Sequence, residues 1–388
     1  MRRAAFRFGF VLAVLVMFPF PLGYVPGTER LAWLLQQPAR WGVNALAALL
    51  GLGEPVQRMT GSGDTLFNYL EALLFVLAAF ACALAWTAVS RAEHYDRLAR
   101  GLRIALRCWV GVVLFHYGVA KLIEMQFRTP PAWILDQRVG DKSPMGLMWT
   151  FMGHSRPYTF GVGFAECLGS VLLFWRRTAT TGALLLAVVM TNVVAMNFCY
   201  DVPVKLYSIE LLVALLAIAG PDLRRILIAA LGHATREAPP PPRGSPRFER
   251  VRDIARFAFL ALLAINALRA SAFLDRVVPP QTELDGTWDA TGDPRWARLM
   301  IDTGVAVIRT PTDQRTIYRV RVDPRAKSIE LAAPLRTGLL HYELRDRDHL
   351  VVRGTIGETW YEVTLVRAEP WLLETRGFHW IQEEPFNR

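Results

Sequence analysis

The chain has 388 residues, of which 53% are hydrophobic, and its mean hydropathy is +0.24. This apolar share exceeds that of ordinary soluble proteins and indicates a membrane protein. The net charge of +10 could suggest nucleic-acid binding, but Lys and Arg concentrate in the loops between apolar segments, where they indicate membrane topology. We therefore expect the lipid bilayer, and no nucleic acid, as a partner.

Seven apolar segments are long enough, or nearly so, to cross a hydrocarbon core of about 30 Å as helices. They cover residues 6–24, 66–89, 104–123, 158–175, 180–198, 205–219 and 257–274. The first begins with arginines, as a signal peptide does, but Pro19 and Pro21 interrupt it and no clean cleavage site follows. We interpret it as a retained membrane anchor.

The basic loops predict the orientation of these spans. If the N-terminus is cytoplasmic, the arginine-rich loops at 90–103, 176–177 and 220–256 are cytoplasmic as well, and the seventh span exports the C-terminus. Residues 220–256, with Pro239–Pro242, are typical of a solvated linker. The outer segments 25–64 and 126–157 are rich in aromatic and apolar residues and are expected to cap the helical bundle.

Four cysteines lie in or beside the apolar segments, and none forms a CxxC pair: Cys82, Cys108, Cys167 and Cys199. We interpret them as small buried apolar residues. Bridges between Cys82 and Cys108 and between Cys167 and Cys199 stay open, because each pair could lie at one membrane depth.

From residue 281 to 388 the hydrophobic period changes to two, as in Thr316–Val322 and Trp360–Leu365. About eight short strands separated by turn residues predict a small antiparallel barrel or sandwich. Gly286-Thr287-Trp288 resembles the first-strand signature of lipocalins. Five tryptophans could line a ligand cavity, although core packing is the favoured interpretation: Trp288, Trp296, Trp360, Trp371 and Trp380.

Ionisable side chains inside a bilayer cost about a few kcal/mol each and usually face the protein interior. At 1.5 Å per residue, Glu71, Asn192, Glu210 and Glu166 lie about 8 to 12 Å below the outer surface. The sequence therefore predicts a polar pocket that opens outward in the predicted topology. Its candidate residues are His116, Tyr117, Lys121, Glu166, Asn192, Glu71, Glu210, Asn197, Asp201 and Lys205.

Lys121 and Glu166 are expected to form an ion pair, because an isolated buried charge would neutralise itself. Glu166 shares a helix face with Gly163 and Gly169, and small residues let helices approach closely. The alternative is that these polar groups only satisfy one another and fix the packing. Asp201 and Lys205 are expected to form a local pair.

Neither metal chemistry nor phosphate-loop chemistry is indicated. His116 has no second histidine or carboxylate at metal spacing beside it, and we interpret it more readily as a core histidine than as a ligand. No Gly-rich phosphate loop, HExxH, nucleophile elbow or CxxCH occurs. We therefore expect no metal site, no ATP-driven reaction and no covalent haem.

Residues 107–219 resemble the DoxX-like family of bacterial integral membrane proteins. The resemblance is carried by Phe115–Leu122 (FHYGVAKL), Gly163–Glu166 (GFAE), Leu172–Thr178 (LLFWRRT) and Asn197–Lys205 (NFCYDVPVK). It implies a four-helix core, a place in the bacterial cytoplasmic membrane and a quinone-linked redox role, but it transfers no catalytic residue. The two preceding spans, the seventh span and the β-domain depart from a minimal member.

Three functional hypotheses follow. The leading one is a polytopic membrane protein whose outward polar pocket binds a quinone, a lipid or another small amphiphile, with quinone as the cofactor to be tested and His116 or Lys121 as proton donor. The second is a non-enzymatic scaffold or maturation factor whose β-domain recruits an exported or membrane protein partner. A transporter ranks last, because the predicted inner half has no matching polar residues.

Overall fold

The computed structural model describes residues 2–55, 61–92, 94–233, 246–384 and 386. The chain forms two compact units. The helical unit comprises Met1–Gln126 and Pro157–Arg269, and the barrel unit comprises Phe127–Arg156 and Ala270–Arg388.

The described helices are, in chain order, α1 (Arg2–Met17), α2 (Glu29–Leu49), α3 (Leu66–Val89), α4 (Asp96–Leu122), α5 (Ala132–Leu135), α6 (Pro144–His154), α7 (Arg156–Leu173), α8 (Ala179–Cys199), α9 (Lys205–Ala230), α10 (Pro246–Val277) and α11 (Leu372–Thr375). A helix lies in each of the seven predicted spans. Among the described residues, five segments are long and apolar enough to cross a membrane: Arg3–Tyr24, Leu66–Val89, Ala179–Cys199, Lys205–Leu223 and Arg256–Leu274. For α4 and α7, which carry the predicted ion pair, membrane crossing stays a prediction.

Helical structure extends into the predicted linker at 220–256. Helix α9 runs to Ala230 and α10 begins at Pro246, so helical structure enters the segment from both sides. Arginine is a good helix former, and a charged segment need not be irregular. Pro239–Pro242 lie outside the described residues.

All four cysteines are free thiols, so neither of the two bridges that the sequence left open is formed. Cys108 and Cys167 are half-buried, whereas Cys82 and Cys199 are exposed on the surface of the chain. The interpretation as buried residues is therefore wrong for Cys82 and Cys199. A position inside an apolar helix specifies membrane depth but not whether the residue faces the other helices.

Glycines bring α4, α7 and α8 into close contact. A Cβ on Gly163 would lie 2.8 Å from the Gly118 carbonyl oxygen and 2.9 Å from the Lys121 Cβ. A Cβ on Gly182 would lie 2.7 Å from the Gly169 carbonyl oxygen. Backbones this close leave no room for larger side chains, which is the usual role of small residues between membrane helices.

The start of α9 is fixed by a residue from a distant loop. Asp64 accepts hydrogen bonds from the backbone amides of Lys205 and Leu206 at 2.8 and 3.0 Å. These are the otherwise unpaired amides of a helix N-terminus, which a carboxylate stabilises. Asp64 therefore ties the loop before α3 to α9.

The C-terminal strands are β1 (Gly286–Thr291), β2 (Arg298–Asp302), β3 (Val305–Arg309), β4 (Arg315–Asp323), β5 (Ser328–Ala333), β6 (Arg336–Leu344), β7 (His349–Ile356) and β8 (Thr359–Arg367). Each strand pairs antiparallel with the next, and β1 pairs with β8, which closes the barrel. The predicted all-β domain of about eight strands is confirmed, as a barrel.

Side chains of the barrel strands form a contiguous apolar core. It includes Trp288 and Trp296, which are buried, and the Trp288 indole nitrogen donates to the Leu284 carbonyl oxygen at 2.9 Å. The interior of an eight-stranded barrel is just wide enough for such packing. Trp360 and Trp380 are 60% and 90% exposed and do not belong to this core.

The segment before α7 belongs to the barrel unit rather than to the helical unit, whose bundle it was expected to cap. Asp136 explains this grouping. Its buried carboxylate lies 2.9 Å from Arg298, 3.4 Å from Arg309 and 3.3 Å from Arg315. Burial and the nearby charge of Arg315 lower the pKa of Lys142 in the same segment.

Candidate functional site in the helical unit

The predicted ion pair between α4 and α7 is present. Lys121 Nζ lies 2.7 Å from Glu166 Oε2, and the two side chains are 6% and 2% exposed. The glycine contact between the same helices explains the depth of the pair, because Gly163 packs against the Lys121 Cβ. Each charge therefore has its counter-charge within the bundle.

Tyr117 lies one helical turn before Lys121 and faces the ion pair. Lys121 Nζ is 5.7 Å from the centroid of the Tyr117 ring and 3.5 Å from the backbone carbonyl oxygen of Tyr117. Tyr117 is 36% exposed, so its ring lies between the buried pair and the surface of the chain. The Lys121–Glu166 pair thus lies behind the Tyr117 ring, which a ligand could reach.

His116 is next to a second tyrosine. Its ring centroid is 5.1 Å from that of Tyr24, which lies in the 3₁₀ turn after α1. His116 Nδ1 lies 2.8 Å from the Val112 carbonyl oxygen. Because a carbonyl oxygen only accepts, Nδ1 is the donor in this hydrogen bond, and Nε2 is the ring nitrogen that can contact a ligand.

A third tyrosine joins this group. Tyr207, in the first turns of α9, is a hydrogen-bonding partner of Tyr24, and its ring centroid lies 6.4 Å from that of Trp109 on α4. Glu210 lies one helical turn further along α9, and Glu71 lies on α3. We call Tyr24, His116, Tyr117 and Tyr207 the tyrosine cluster.

The other predicted site residues have local roles. Asn192 is exposed, and its side-chain nitrogen lies 3.5 Å from Met196 Sδ on its own helix. Asn197 donates to the Val204 carbonyl oxygen at 3.3 Å and bridges the turn between α8 and α9. The predicted local pair is confirmed: Lys205 Nζ lies 2.8 Å from Asp201.

Sequence reasoning missed Tyr24 and Tyr207. Tyr207 lies three residues before Glu210, so the two share a helix face, and that spacing was a usable signal. Tyr24 follows the two prolines that end the first span, and its approach to α4 and α9 is a tertiary contact with no local signature. Both lie at the helix ends that the predicted topology places outside.

The tyrosine cluster can donate hydrogen bonds through its hydroxyls and make one more at the imidazole. Such groups suit a polar head with carbonyl, hydroxyl or phosphate oxygens, while the surrounding apolar helices suit a hydrocarbon tail.

No protein family model matches the chain. No solved structure matches it either. The uncharacterized protein YwoB of Bacillus subtilis (strain 168) is 32% identical over 137 residues, which make up 34% of this chain and 86% of YwoB. Because the similarity extends over most of YwoB, this chain belongs to the same protein family as YwoB.

Proposed function

We propose that the tyrosine cluster binds the polar head of a small amphiphile, with a quinone as the first candidate and a lipid as the second. The observation that carries the proposal is the meeting of three tyrosines and a histidine, from three parts of the chain, beside the buried Lys121–Glu166 pair. The pair positions Tyr117, and the hydroxyls contact the ligand.

The site belongs to a membrane protein, because five of the described helices are long and apolar enough to cross a bilayer. We further propose that the chain resides in the bacterial cytoplasmic membrane with a cytoplasmic N-terminus and an extracytoplasmic barrel. The basic loops between the apolar segments support this orientation. A role in a quinone-linked redox system, which the DoxX-like resemblance implies, would need a partner that supplies electrons.

A quinone titration tests the proposal. The protein in lipid nanodiscs is titrated with decylubiquinone, and quenching of tryptophan fluorescence reports binding. Tyr207→Phe removes one hydroxyl and should weaken binding about tenfold, the effect of about one hydrogen bond. Tyr200→Phe, at the end of α8, is the matched control and should leave binding unchanged.

A test of the Lys121–Glu166 ion pair requires a variant that still folds. Lys121→Met alone leaves the buried Glu166 charge unpaired and should damage folding as well as binding. Lys121→Met together with Glu166→Met removes both charges, and the folded double variant should bind several-fold more weakly. Undiminished quinone binding in this variant and in Tyr207→Phe would refute the proposed site.

The second candidate function is a non-enzymatic scaffold, and a specific observation favours it. Lys121 and Glu166 satisfy each other almost completely out of solvent, as a purely structural pair would. In that case Tyr207→Phe has no effect on function, whereas deletion of residues 281–388 abolishes recovery of an exported partner.

A further inference from the structure

Arginines from two helices of the helical unit meet where α7 ends. Arg107 on α4 donates to the Leu173 carbonyl oxygen at 2.6 Å. The guanidinium of Arg256 on α10 lies 5.5 Å from the centroid of the Trp175 ring, two residues further along the chain. Both guanidinium groups therefore contact one segment of three residues, although they come from helices that are far apart in the sequence.

The turn between α7 and α8 adds further positive charge. Arg176 and Arg177 lie in this turn and are exposed. Arg103, one helical turn before Arg107 on α4, lies 3.4 Å from the Thr180 hydroxyl oxygen in the first turn of α8. We call these five residues the arginine cluster: Arg103, Arg107, Arg176, Arg177 and Arg256.

The arginine cluster has more positive charge than its acidic partners neutralise. Among the described residues, two carboxylates form ion pairs with it. Asp222 lies 2.6 Å from Arg103 and also 3.8 Å from Arg225, and Asp253 lies 2.9 Å from Arg256. Six arginines thus share two carboxylates, and this surplus of positive charge can bind an anion.

The arginine cluster lies at the ends of apolar helices. It borders three of the segments that are able to cross a membrane, Ala179–Cys199 and Arg256–Leu274 at their starts and Lys205–Leu223 at its end. Arginine at such a position reaches the level of the lipid headgroups. Tyr207 and Asp222 lie near opposite ends of α9, roughly 22 Å apart at 1.5 Å per residue, so the arginine cluster and the tyrosine cluster are separate sites.

Membrane topology alone does not account for Arg107. A topology signal requires basic residues in the loops beside membrane spans, whatever those residues contact. Arg107 lies instead within the predicted span 104–123 and is half-buried. Its hydrogen bond to Leu173 uses Nε, and among the described residues its two terminal amino groups have no acceptor. These amino groups form the planar fork that binds phosphate oxygens in a bidentate manner.

Apolar side chains beside the arginine cluster favour a lipid over a free phosphate ion. Ile104 follows Arg103 in the sequence and is 57% exposed, and Phe257 follows Arg256 and is 62% exposed. Acyl chains would cover these side chains while the guanidinium groups bind the headgroup. Basic pockets between membrane helices on the cytoplasmic side, where the predicted topology places this cluster, typically bind anionic headgroups.

We propose that the arginine cluster binds the phosphate group of an anionic lipid. The bound headgroup contacts α4, the turn between α7 and α8, and the start of the apolar part of α10, and it neutralises the surplus charge of the arginines. The inference is independent of the ligand of the tyrosine cluster, which lies at the other end of the helices.

Native mass spectrometry of the full-length chain in mild detergent, titrated with phosphatidylglycerol, tests this proposal. Arg176→Gln with Arg177→Gln removes two exposed arginines and leaves the ion pairs of the cluster intact. This double variant should bind the lipid about tenfold more weakly, because each arginine near an anionic headgroup contributes several-fold to the affinity. Arg91→Gln with Arg97→Gln removes the same charge from exposed positions before the cluster and should change binding little.

Two competing ligands identify what the site recognises. Phosphatidylcholine has a phosphate but no net charge, and the native chain should bind it several-fold more weakly than phosphatidylglycerol. Millimolar inorganic phosphate should leave the bound phosphatidylglycerol in place, and displacement would assign the cluster to a free anion instead of a lipid. Equal binding of the two lipids, or equal weakening by the two double variants, would overturn the proposal.

Discussion

Asp136 shows how one buried carboxylate holds a loop on a folded domain. Its side chain is 2% exposed, and three arginines from three barrel strands surround it, with Arg315 also donating to its carbonyl oxygen at 2.9 Å. The arginines themselves keep 18 to 26% exposure, so water still solvates part of their charge. The charge of the Asp136 carboxylate, which is out of water, therefore depends more on these ion pairs than the charges of the arginines do.

Replacement of Asp136 should destabilise the barrel unit. Asp136→Ala leaves three arginines facing one another, and we expect a loss of about 3 kcal/mol, the lower end for a broken buried pair because the arginines are partly solvated. Asp289→Ala removes a 44% exposed partner of Arg298 and should cost less than about 1 kcal/mol. Thermal unfolding followed by tryptophan fluorescence compares the two, and equal losses would contradict the assigned role.

Prediction of single contacts succeeded where the depth of a charged residue in the membrane was enough to identify its partner. Lys121 and Glu166 were expected to pair because each lies near the same predicted depth and neither can stay charged alone in a bilayer. No comparable constraint existed for Asp136, whose contact with Arg298 spans 162 positions and joins a loop to a strand. Asn192 has a suitable depth but lies on the exposed face of α8, and depth does not specify the face.

At the scale of elements, the crossing of α4 and α7 depends on glycine. Gly118 and Gly163 face each other so closely that a Cβ on either would meet the other's carbonyl oxygen at 2.8 Å. The ion pair lies directly beside this contact, so the separation of the helices sets the distance between Lys121 and Glu166. Packing and electrostatics at this crossing are therefore coupled.

A single methyl group on Gly163 should separate the two helices. Gly163→Ala is expected to reduce the yield of folded, monodisperse protein in size-exclusion chromatography, because backbone atoms rather than flexible side chains would have to move. A Cβ on Gly161, in the same helix, would meet no atom within 4 Å, so Gly161→Ala should behave as the native chain does. A similar yield from both variants would show that the crossing tolerates a wider separation.

Elements were predictable wherever one period dominated the sequence. Long apolar segments indicated the helices, and the period of two in residues such as Thr316–Val322 indicated the strands. Helix ends at α9 and α10 were not predictable, because arginine-rich sequence between apolar segments suits both a helix and a solvated linker. The closure of β1 on β8 is a long-range pairing that no local pattern specifies.

At the scale of the molecule, one chain combines a helical unit suited to lipid with a barrel unit suited to water. Apolar residues form long runs up to about residue 275, within α10, and alternate with polar ones in the barrel, so the sequence distinguishes the two units. It did not show that the segment between α4 and α7 belongs to the barrel unit, because that grouping rests on the contacts of Asp136. The amino-acid composition of a loop does not show with which unit the loop packs.

The first helix is integrated into the helical unit. Arg7 is 3% exposed, and its guanidinium donates to the Tyr95 hydroxyl at 2.9 Å and to the Ser90 carbonyl oxygen at 3.1 Å. Ala13, Val16, Met17 and Phe20 pack against the core formed by α4, α8 and α9. Removal of this helix would expose that core and leave the loop between α3 and α4 without its arginine.

We therefore predict that residues 2–24 remain in the mature protein and stabilise it. The intact mass of the purified chain should include this segment. Arg7→Ala should cost about 2 to 3 kcal/mol, since hydrogen bonds to a charged donor are lost, and should lower the thermal midpoint of the helical unit by several degrees. Arg91→Ala, an exposed arginine in the same loop region as Ser90, should change it little. A mature chain that begins after Tyr24 and still folds would show that the contacts of Arg7 are dispensable.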